Sequence, residues 1–379
     1  MKKILFVNDE MTMGGVARIL NTLLKNIDRT KYEVDLLVLH KRGELLPEVP
    51  EGIRVLGGTE FFDTIDLPLS QCRGKDLFHK LRLLFYMKTG LIKGKIAKER
   101  KKILQDHYDI EFSAKEGFCT IFTAYGDSDR KLNWVQVDYK QHNYSSHHME
   151  LVKEALKHID QNIACSETVK ASYAELFAAE RITVIHNLID EERIRAMSLA
   201  EETKPADPEK IDLVCVARFH PQKGLDRLIR AYAEVKDFCD LTVIGDGELH
   251  EEIHALAKEK GVEDLITWTG MMGNPYPLIR KADLFVLPSL YEGYPTITIE
   301  SLVSDTPVLA CEVAGVKEQL LQEETGWVIE NSEEAFTEAL KQLKGKKAVL
   351  QEYKKKLLDY HYPNPQIMKE LYGEFEGTH

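Results

Sequence analysis

No stretch of this 379-residue chain approaches the roughly 20 consecutive apolar residues that a membrane-spanning helix requires. Cysteine is sparse and scattered, at Cys72, Cys119, Cys165, Cys215, Cys239 and Cys311, with no CxxC pair and no histidine spacing that suggests zinc. That excludes a disulfide scaffold and a zinc module, and fits a reducing, cytosolic compartment. An excess of positive charge is also missing. Fifty Lys and Arg against 62 Asp and Glu leave a net charge of −12, so no global basic field exists to recruit nucleic-acid phosphates. The opening MKKILFVNDE has only four apolar residues before Asn8, Asp9 and Glu10, which reads as a first buried strand and not as a signal peptide. What is present is the composition of a folded soluble protein, 44% hydrophobic and 30% charged, too long for one ordinary core.

Short apolar runs alternate with longer helical patterns. KILFV leads through a Gly-Gly turn into VARILNTLLKNI, where Ile19, Leu20, Leu23, Leu24 and Ile27 recur at helical spacing. EVDLLVL, DIEFSA, KLNWVQV, NIACS and ITVIHN follow as strands; IDLVCVAR, DLTVIGDG, LITWTG, ADLFVLPS and TPVLACE restart the pattern. Apolar runs unbroken by alternation mark strands buried on both faces, and strand-helix repetition implies parallel sheets. The expectation is α/β: two doubly wound, Rossmann-like domains facing a cleft, over 1–197 and 198–362, with a C-terminal helix, 363–379, packing back on the first. The acidic, Pro-bearing stretch 198–210 reads as the linker. Ligands of such sheets lie beyond the carboxyl ends of the strands, and the motifs fall there.

Gly14 and Gly15 stand between a strand and a helix, where they either make a tight turn or let the backbone approach a phosphate at the helix N-terminus. VARFHPQKGLDRLIRAY puts Arg218 after a buried strand and Lys223 before a helix beginning near Leu225; such a loop is either solvated or suited to a diphosphate. VIGDGELHEEI lacks the full GxGxxG spacing and reads as a nucleotide-facing turn around Gly245. In SLYEGYPTITIESL, Gly293 serves the turn and Pro295 suits the first helical position, so the Thr-Ile alternation is overridden and a helix is expected. Glu292 then lies on the strand-end loop and Glu300 about one and a half turns into the helix. A carboxylate takes two hydroxyl donors at once, matching a vicinal diol such as that of a ribose. The alternatives are two solvated glutamates on a capped helix, or a glycosidase-like acid–nucleophile pair. Residues 73–102 hold eleven Lys or Arg against two acids, interleaved with apolar side chains. They form either a solvated basic helix pair or a contact with an anionic membrane surface.

The second half resembles the retaining glycosyltransferases of family 4. The resemblance rests on Glu-x7-Glu, met by Glu292 and Glu300, and on ARFHPQKG, GDGELHEEIHALAKEKG, NPYPLIRKADLFVLPS and TPVLACEVAGVKEQL in the expected order. It is close from about Ile211 to Gly326 and looser through GGVARIL and VIHNLID. It implies the B-type glycosyltransferase fold and retaining transfer of a hexose or N-acetylhexosamine from a nucleotide-sugar, UDP-linked, with no metal and no other cofactor. The implied donor-binding residues are Gly14, Gly15, Arg218, Lys223, Gly245, Met271, Glu292, Gly293, Tyr294, Pro295, Thr296 and Glu300. Arg218 and Lys223 would hold the diphosphate, Glu300 the ribose, and Glu292 the donor sugar or phosphate. Where many relatives carry a histidine near the sugar, this chain has Gln136, which can hydrogen-bond a hydroxyl but cannot act as an acid or base. Asp138 would reach the acceptor. The implied acceptor is a cell-surface glycan or lipid-linked sugar, met by an enzyme peripheral at the inner face of the cell membrane. A non-catalytic partner subunit, which would not hydrolyse donor, and a nucleotide-sugar epimerase, which would use no acceptor, are the competing classes.

Overall fold

A computed structural model describes residues 1–65, 67, 69–141, 144–200, 209–320 and 324–378. The chain divides into two compact units, Met1–Leu188 with Asn364–His379, and Ile189–Pro363. Each is a parallel sheet flanked by helices.

The first sheet contains β1 (Lys2–Asn8), β2 (Tyr32–Val38), β3 (Arg54–Gly57), β4 (Ile110–Ser113), β5 (Arg130–Val135), β6 (Gln161–Ala164) and β7 (Ile182–Val184). Its order is β3-β2-β1-β4-β5-β6-β7, and every pairing is parallel. Ile4 to Val7 are fully buried because helices cover both faces. The helix Gly15–Asn26 supplies one such cover through Ile19, Leu20, Leu23 and Leu24. The C-terminal helix Asn364–Glu376 supplies another: Phe375 packs 6.4 Å from Phe6 and 5.9 Å from Phe112 between ring centroids. Its Glu376 accepts a 2.7 Å hydrogen bond from the Tyr32 hydroxyl.

The central strand of this sheet carries a buried charge. Glu111, on the central strand β4, is fully buried, and burial pushes its carboxyl up against the opposing pull of Arg100. Arg100, on the helix Ile92–Ile103, donates to both carboxylate oxygens, at 2.9 and 2.5 Å, and to the Phe122 carbonyl at 3.2 Å. Its guanidinium also stacks 4.6 Å over the Phe122 ring. The basic helix is thereby fastened to the middle of the sheet.

The second sheet contains β8 (Ile211–Val216), β9 (Cys239–Ile244), β10 (Ile266–Trp268), β11 (Leu284–Leu287), β12 (Val308–Cys311) and β13 (Gly326–Ile329). The order is β10-β9-β8-β11-β12-β13, again parallel throughout. The division between units falls at 188/189, nine residues before the expected boundary. The helix Glu191–Ser198 is tied to the second unit: the Arg195 guanidinium lies 3.4 Å from Asp305, Glu191 accepts from the Tyr362 amide at 3.1 Å, and Asn274 donates to the Met197 carbonyl at 3.0 Å. Most of the expected linker, 201–208, lies outside the described residues.

All six cysteines are buried free thiols, and burial pushes the thiols of Cys215 and Cys239 up to about 12. Among the described residues no helix is long and apolar enough to cross a membrane.

Arg100→Ala should strand the Glu111 carboxylate in the sheet and lower the unfolding free energy by about 3–5 kcal/mol. Urea unfolding measures this. Replacing the pair with Met and Leu should recover most of the loss, and an unshifted Arg100→Ala transition would show that the pair holds nothing.

Candidate functional site

In the second unit the strand order reverses between β8 and β11, so the loops at their carboxyl ends diverge and open a crevice. Both conspicuous motifs leave from those two ends. Beyond β8 the chain runs through Arg218 to a short 3-10 turn, Pro221–Lys223, and the helix Leu225–Ala233. Between turn and helix sits Gly224, at φ +60°, in the left-handed region. A Cβ there would lie 2.2 Å from the carbonyl oxygen of Pro288, on the loop beyond β11. The two loops are stitched further where the Leu290 amide donates to the Gln222 carbonyl at 2.7 Å and the Gln222 amide group to the Tyr291 carbonyl at 2.9 Å.

This close approach brings Lys223 to Glu292. The ammonium lies 2.6 Å from Oε1, which also accepts from the Ser289 hydroxyl at 2.7 Å; Gln222 Nε2 donates to Oε2 at 3.2 Å. Glu292 is 9% exposed. The two cations of this loop are therefore unequal. Lys223 is already neutralised by Glu292, whereas Arg218 is exposed and makes no side-chain hydrogen bond or ion pair among the described residues.

The segment after Tyr294 is helical, Thr296–Val303, despite its alternating Thr and Ile. Pro295 is the residue before the first helical one, and its carbonyl accepts from the Thr298 hydroxyl at 2.6 Å. Glu300 is 8% exposed and accepts from the Tyr276 hydroxyl at 3.1 Å and the Thr296 hydroxyl at 3.0 Å, one donor on each oxygen. A carboxylate oxygen accepts two hydrogen bonds, so each retains one position for an incoming hydroxyl.

Other expected contacts divide. Met271 is exposed and Gly293 half-buried. Gly245, at φ +133°, is demanded by the fold itself, since a Cβ would meet the Ala217 carbonyl oxygen at 2.0 Å. The Tyr294 side chain is buried, with its hydroxyl 3.0 Å from that of Tyr362, which leaves its backbone as the part that can meet a ligand.

In the first unit, Gly14 has an extended backbone, and a Cβ on Gly15 would meet nothing within 4 Å. Neither glycine is required by a tight turn. The helix they open has no side-chain cap, so its first amides are unobstructed by side chains at these positions. Gln136 follows β5; its backbone amide donates to Glu116 at 2.8 Å, and its buried Nε2 has no hydrogen-bond partner among the described residues. Asp138 is engaged at one oxygen: its Oδ1 accepts from the Lys140 amide, at 3.0 Å, and from the Ser172 hydroxyl.

Sequence reasoning missed Asp9, Lys115 and Glu116, which stand beyond β1 and β4, the strands where the first sheet reverses order. Lys115 pairs with Asp9. Burial pushes the Glu116 carboxyl up, with Lys115 pulling the other way. The available signal was charge immediately following a buried strand. Gln222, Ser289 and Tyr276, the partners of the two glutamates, carry no sequence signal of their own.

Residues 199–357 match the family described as "Glycosyl transferases group 1", and residues 13–193 match "Glycosyltransferase Family 4". Among curated proteins, the chain is 30% identical over 179 residues to the Campylobacter jejuni N-acetylgalactosamine-N,N'-diacetylbacillosaminyl-diphospho-undecaprenol 4-alpha-N-acetylgalactosaminyltransferase, covering 47% of this chain and 48% of that protein. It is 29% identical over 163 residues to the Rhizobium meliloti lipopolysaccharide core biosynthesis glycosyltransferase LpsE, covering 43% and 47%. The chain thus spans about half the length of these curated relatives. Anabaena HepE, solved in complex with UDP, superposes with a TM-score of 0.69 at 16% identity, over 98% of this chain and 100% of that one. That likeness carries the fold: two Rossmann-like units of the B-type glycosyltransferase architecture.

Gly224→Ala should force the two strand-end loops apart, because the new methyl group meets backbone in a left-handed conformation. A loss of about 2 kcal/mol or more is expected in urea unfolding. A variant as stable as the parent would show that the loops are not locked there.

Proposed function

Since this chain belongs to the glycosyl transferases group 1 family, with an amino-terminal half of glycosyltransferase family 4, we propose that it is a retaining hexosyltransferase. It moves a hexose or N-acetylhexosamine from a UDP-sugar to a cell-surface glycan or lipid-linked acceptor. The observation behind this reading is the single loop-helix segment that holds two buried carboxylates, packed against the loop bearing Arg218 and Lys223. Named relatives support the rest. HepE is solved with UDP and with UDP and glucose, the Campylobacter protein is named for a diphospho-undecaprenol acceptor, and LpsE for lipopolysaccharide.

In this reading Glu300 receives the two ribose hydroxyls on its vacant acceptor positions. Arg218 is the principal cation of the diphosphate. Lys223 is a shared one, held by Glu292 until the donor arrives. Glu292, with Ser289 and Gln222 fixing its oxygens, faces a sugar hydroxyl better than a phosphate, since two anions would repel. Gly14 and Gly15 leave the first amides of their helix open to a phosphate. Gly245, Met271, Gly293, Pro295, Thr296 and the Tyr294 backbone line the donor. Gln136 offers its unpartnered amide group to a sugar hydroxyl. As the glycosidic bond breaks, charge gathers on the leaving diphosphate; Arg218 and Lys223 stabilise it, and that phosphate serves as the base toward the acceptor. No metal is required. The enzyme works at the cytoplasmic face of the membrane, attached peripherally through residues 73–102.

Glu300→Gln exchanges one acceptor oxygen for a donor and leaves a hydroxyl mispaired, a penalty of about 1–3 kcal/mol. UDP affinity in calorimetry should fall roughly 5- to 150-fold. Unchanged affinity would remove Glu300 from the site, and absence of UDP binding by the parent protein would sink the donor assignment.

Arg218→Ala should reduce the rate of UDP release from UDP-sugar even at saturating donor, because the lost charge acts most strongly in the transition state. Parent activity should survive EDTA. Its loss on chelation, with rescue by magnesium or manganese, would overturn the metal-independent scheme.

A further inference from the structure

The segment 73–102 forms two helices, Lys75–Lys88 and Ile92–Ile103. The first has two distinct apolar faces. One is its anchor: Leu83 is buried, Tyr86 packs edge-on against Phe61 at 5.9 Å between centroids, and Arg82 lies 5.7 Å over the same ring. The other faces solvent and is apolar. Phe78 is 63% exposed, Leu81 51% and Phe85 57%, with Leu77 and Leu84 beside them. These positions recur at i, i+1, i+4, i+7 and i+8, one continuous stripe of a helix. Leu91, in the turn between the helices, is 56% exposed. The stripe is therefore not a core face left over, because the core face is filled separately.

The cations of the segment also fall into two groups. Lys80 donates to the carbonyls of Thr64 and Ile65, Lys95 and Lys102 pair with buried Glu99, and Arg100 with Glu111. These are structural, and Lys95 in particular is not a surface anchor. By contrast, Arg73, Lys75, Lys88, Lys93, Lys98 and Lys101 are exposed and form no ion pair among the described residues. The segment's acids are Asp76 and the buried, paired Glu99.

We propose that the apolar stripe of the helix Lys75–Lys88 inserts into the acyl region of an anionic lipid surface, with the exposed cations seated among the headgroups. This refines the membrane attachment proposed above and rests on it. The difference is that insertion, and not charge alone, holds the protein. Two exposed phenylalanines on a stripe of leucines match the apolar face of an interfacial helix, and the flanking cations match its polar border. A second copy of this chain is a poorer occupant. Pairing stripe against stripe would bring the same unneutralised cations of both copies together. An anionic surface is repelled by the rest of a chain of net charge −12 and attracted here.

The test uses Phe85→Trp as a reporter and vesicles of phosphatidylcholine with or without phosphatidylglycerol. With phosphatidylglycerol present, the tryptophan emission should shift to the blue and be quenched by lipids brominated on the acyl chain. The double variant Phe78→Ser/Phe85→Ser should lower the vesicle-bound partition coefficient by about tenfold or more, while its thermal unfolding and UDP affinity match the parent. High salt should weaken attachment without abolishing it, since only the headgroup contribution is screened. The proposal is overturned if the serine variant binds as the parent does and high salt removes both. It is equally overturned if acyl-chain quenching is absent, or if light scattering shows dimerisation through the stripe that the serine variant abolishes. Vesicle results as expected, with no UDP binding by the parent, would leave this inference standing and remove the donor reading instead.

Discussion

The contact on which the candidate site depends is between main chains: the Gly224 α-carbon against the Pro288 carbonyl. It fixes the separation of two loops that leave neighbouring strands in diverging directions. With that separation set, the Lys223 ammonium has the reach to meet Glu292, and Gln222 can grip the opposite loop at both backbone and side chain. The chemistry of the site is thus built on a backbone that admits no side chain at one position. A lysine at the same place in a looser loop would be a solvated charge of little consequence.

Charge placement follows one logic in both units. Buried carboxylates stand on or just past the strands and are answered by a cation from the adjacent loop or helix: Glu111 by Arg100, Asp9 by Lys115, Glu292 by Lys223. Breaking any of these would expose a charge to a poorly polarisable interior, which is why they come as pairs. Glu300 follows a different rule, held by two hydroxyls and no cation, so its oxygens keep capacity to accept. Gln136 is the donor-side counterpart in the first unit, a buried amide group without a partner among the described residues. Groups left with capacity are where a polyhydroxyl ligand gains hydrogen bonds without displacing existing ones.

Most strands could be read from the sequence because central parallel strands such as LFVL and VLAC are short, apolar and uninterrupted. β3 and β13 escaped notice because they are sheet edges, half-covered, with mixed composition. The helix Thr296–Val303 was legible in spite of its β-branched alternation, since proline at its entrance and burial along its length outweigh local propensity. The two glutamates were found by spacing. What spacing could not show was the company each side chain keeps. Lys223 is paired with Glu292, the Tyr294 hydroxyl is bonded inward to Tyr362, and Asp138 accepts from the Ser172 hydroxyl. Partners distant in sequence supply all three contacts, and no local pattern encodes them.

The six interior thiols, three in each unit, have a kinetic meaning. A thiol that is buried meets an alkylating reagent only when its surroundings open. Cys72, Cys119 and Cys165 therefore time the breathing of one unit, and Cys215, Cys239 and Cys311 that of the other. The order in which they acquire label, resolved by peptide mass, becomes a clock for local opening, with no cysteine needing to be introduced. A ligand that stiffens one sheet would slow three of the six hands and leave the others running.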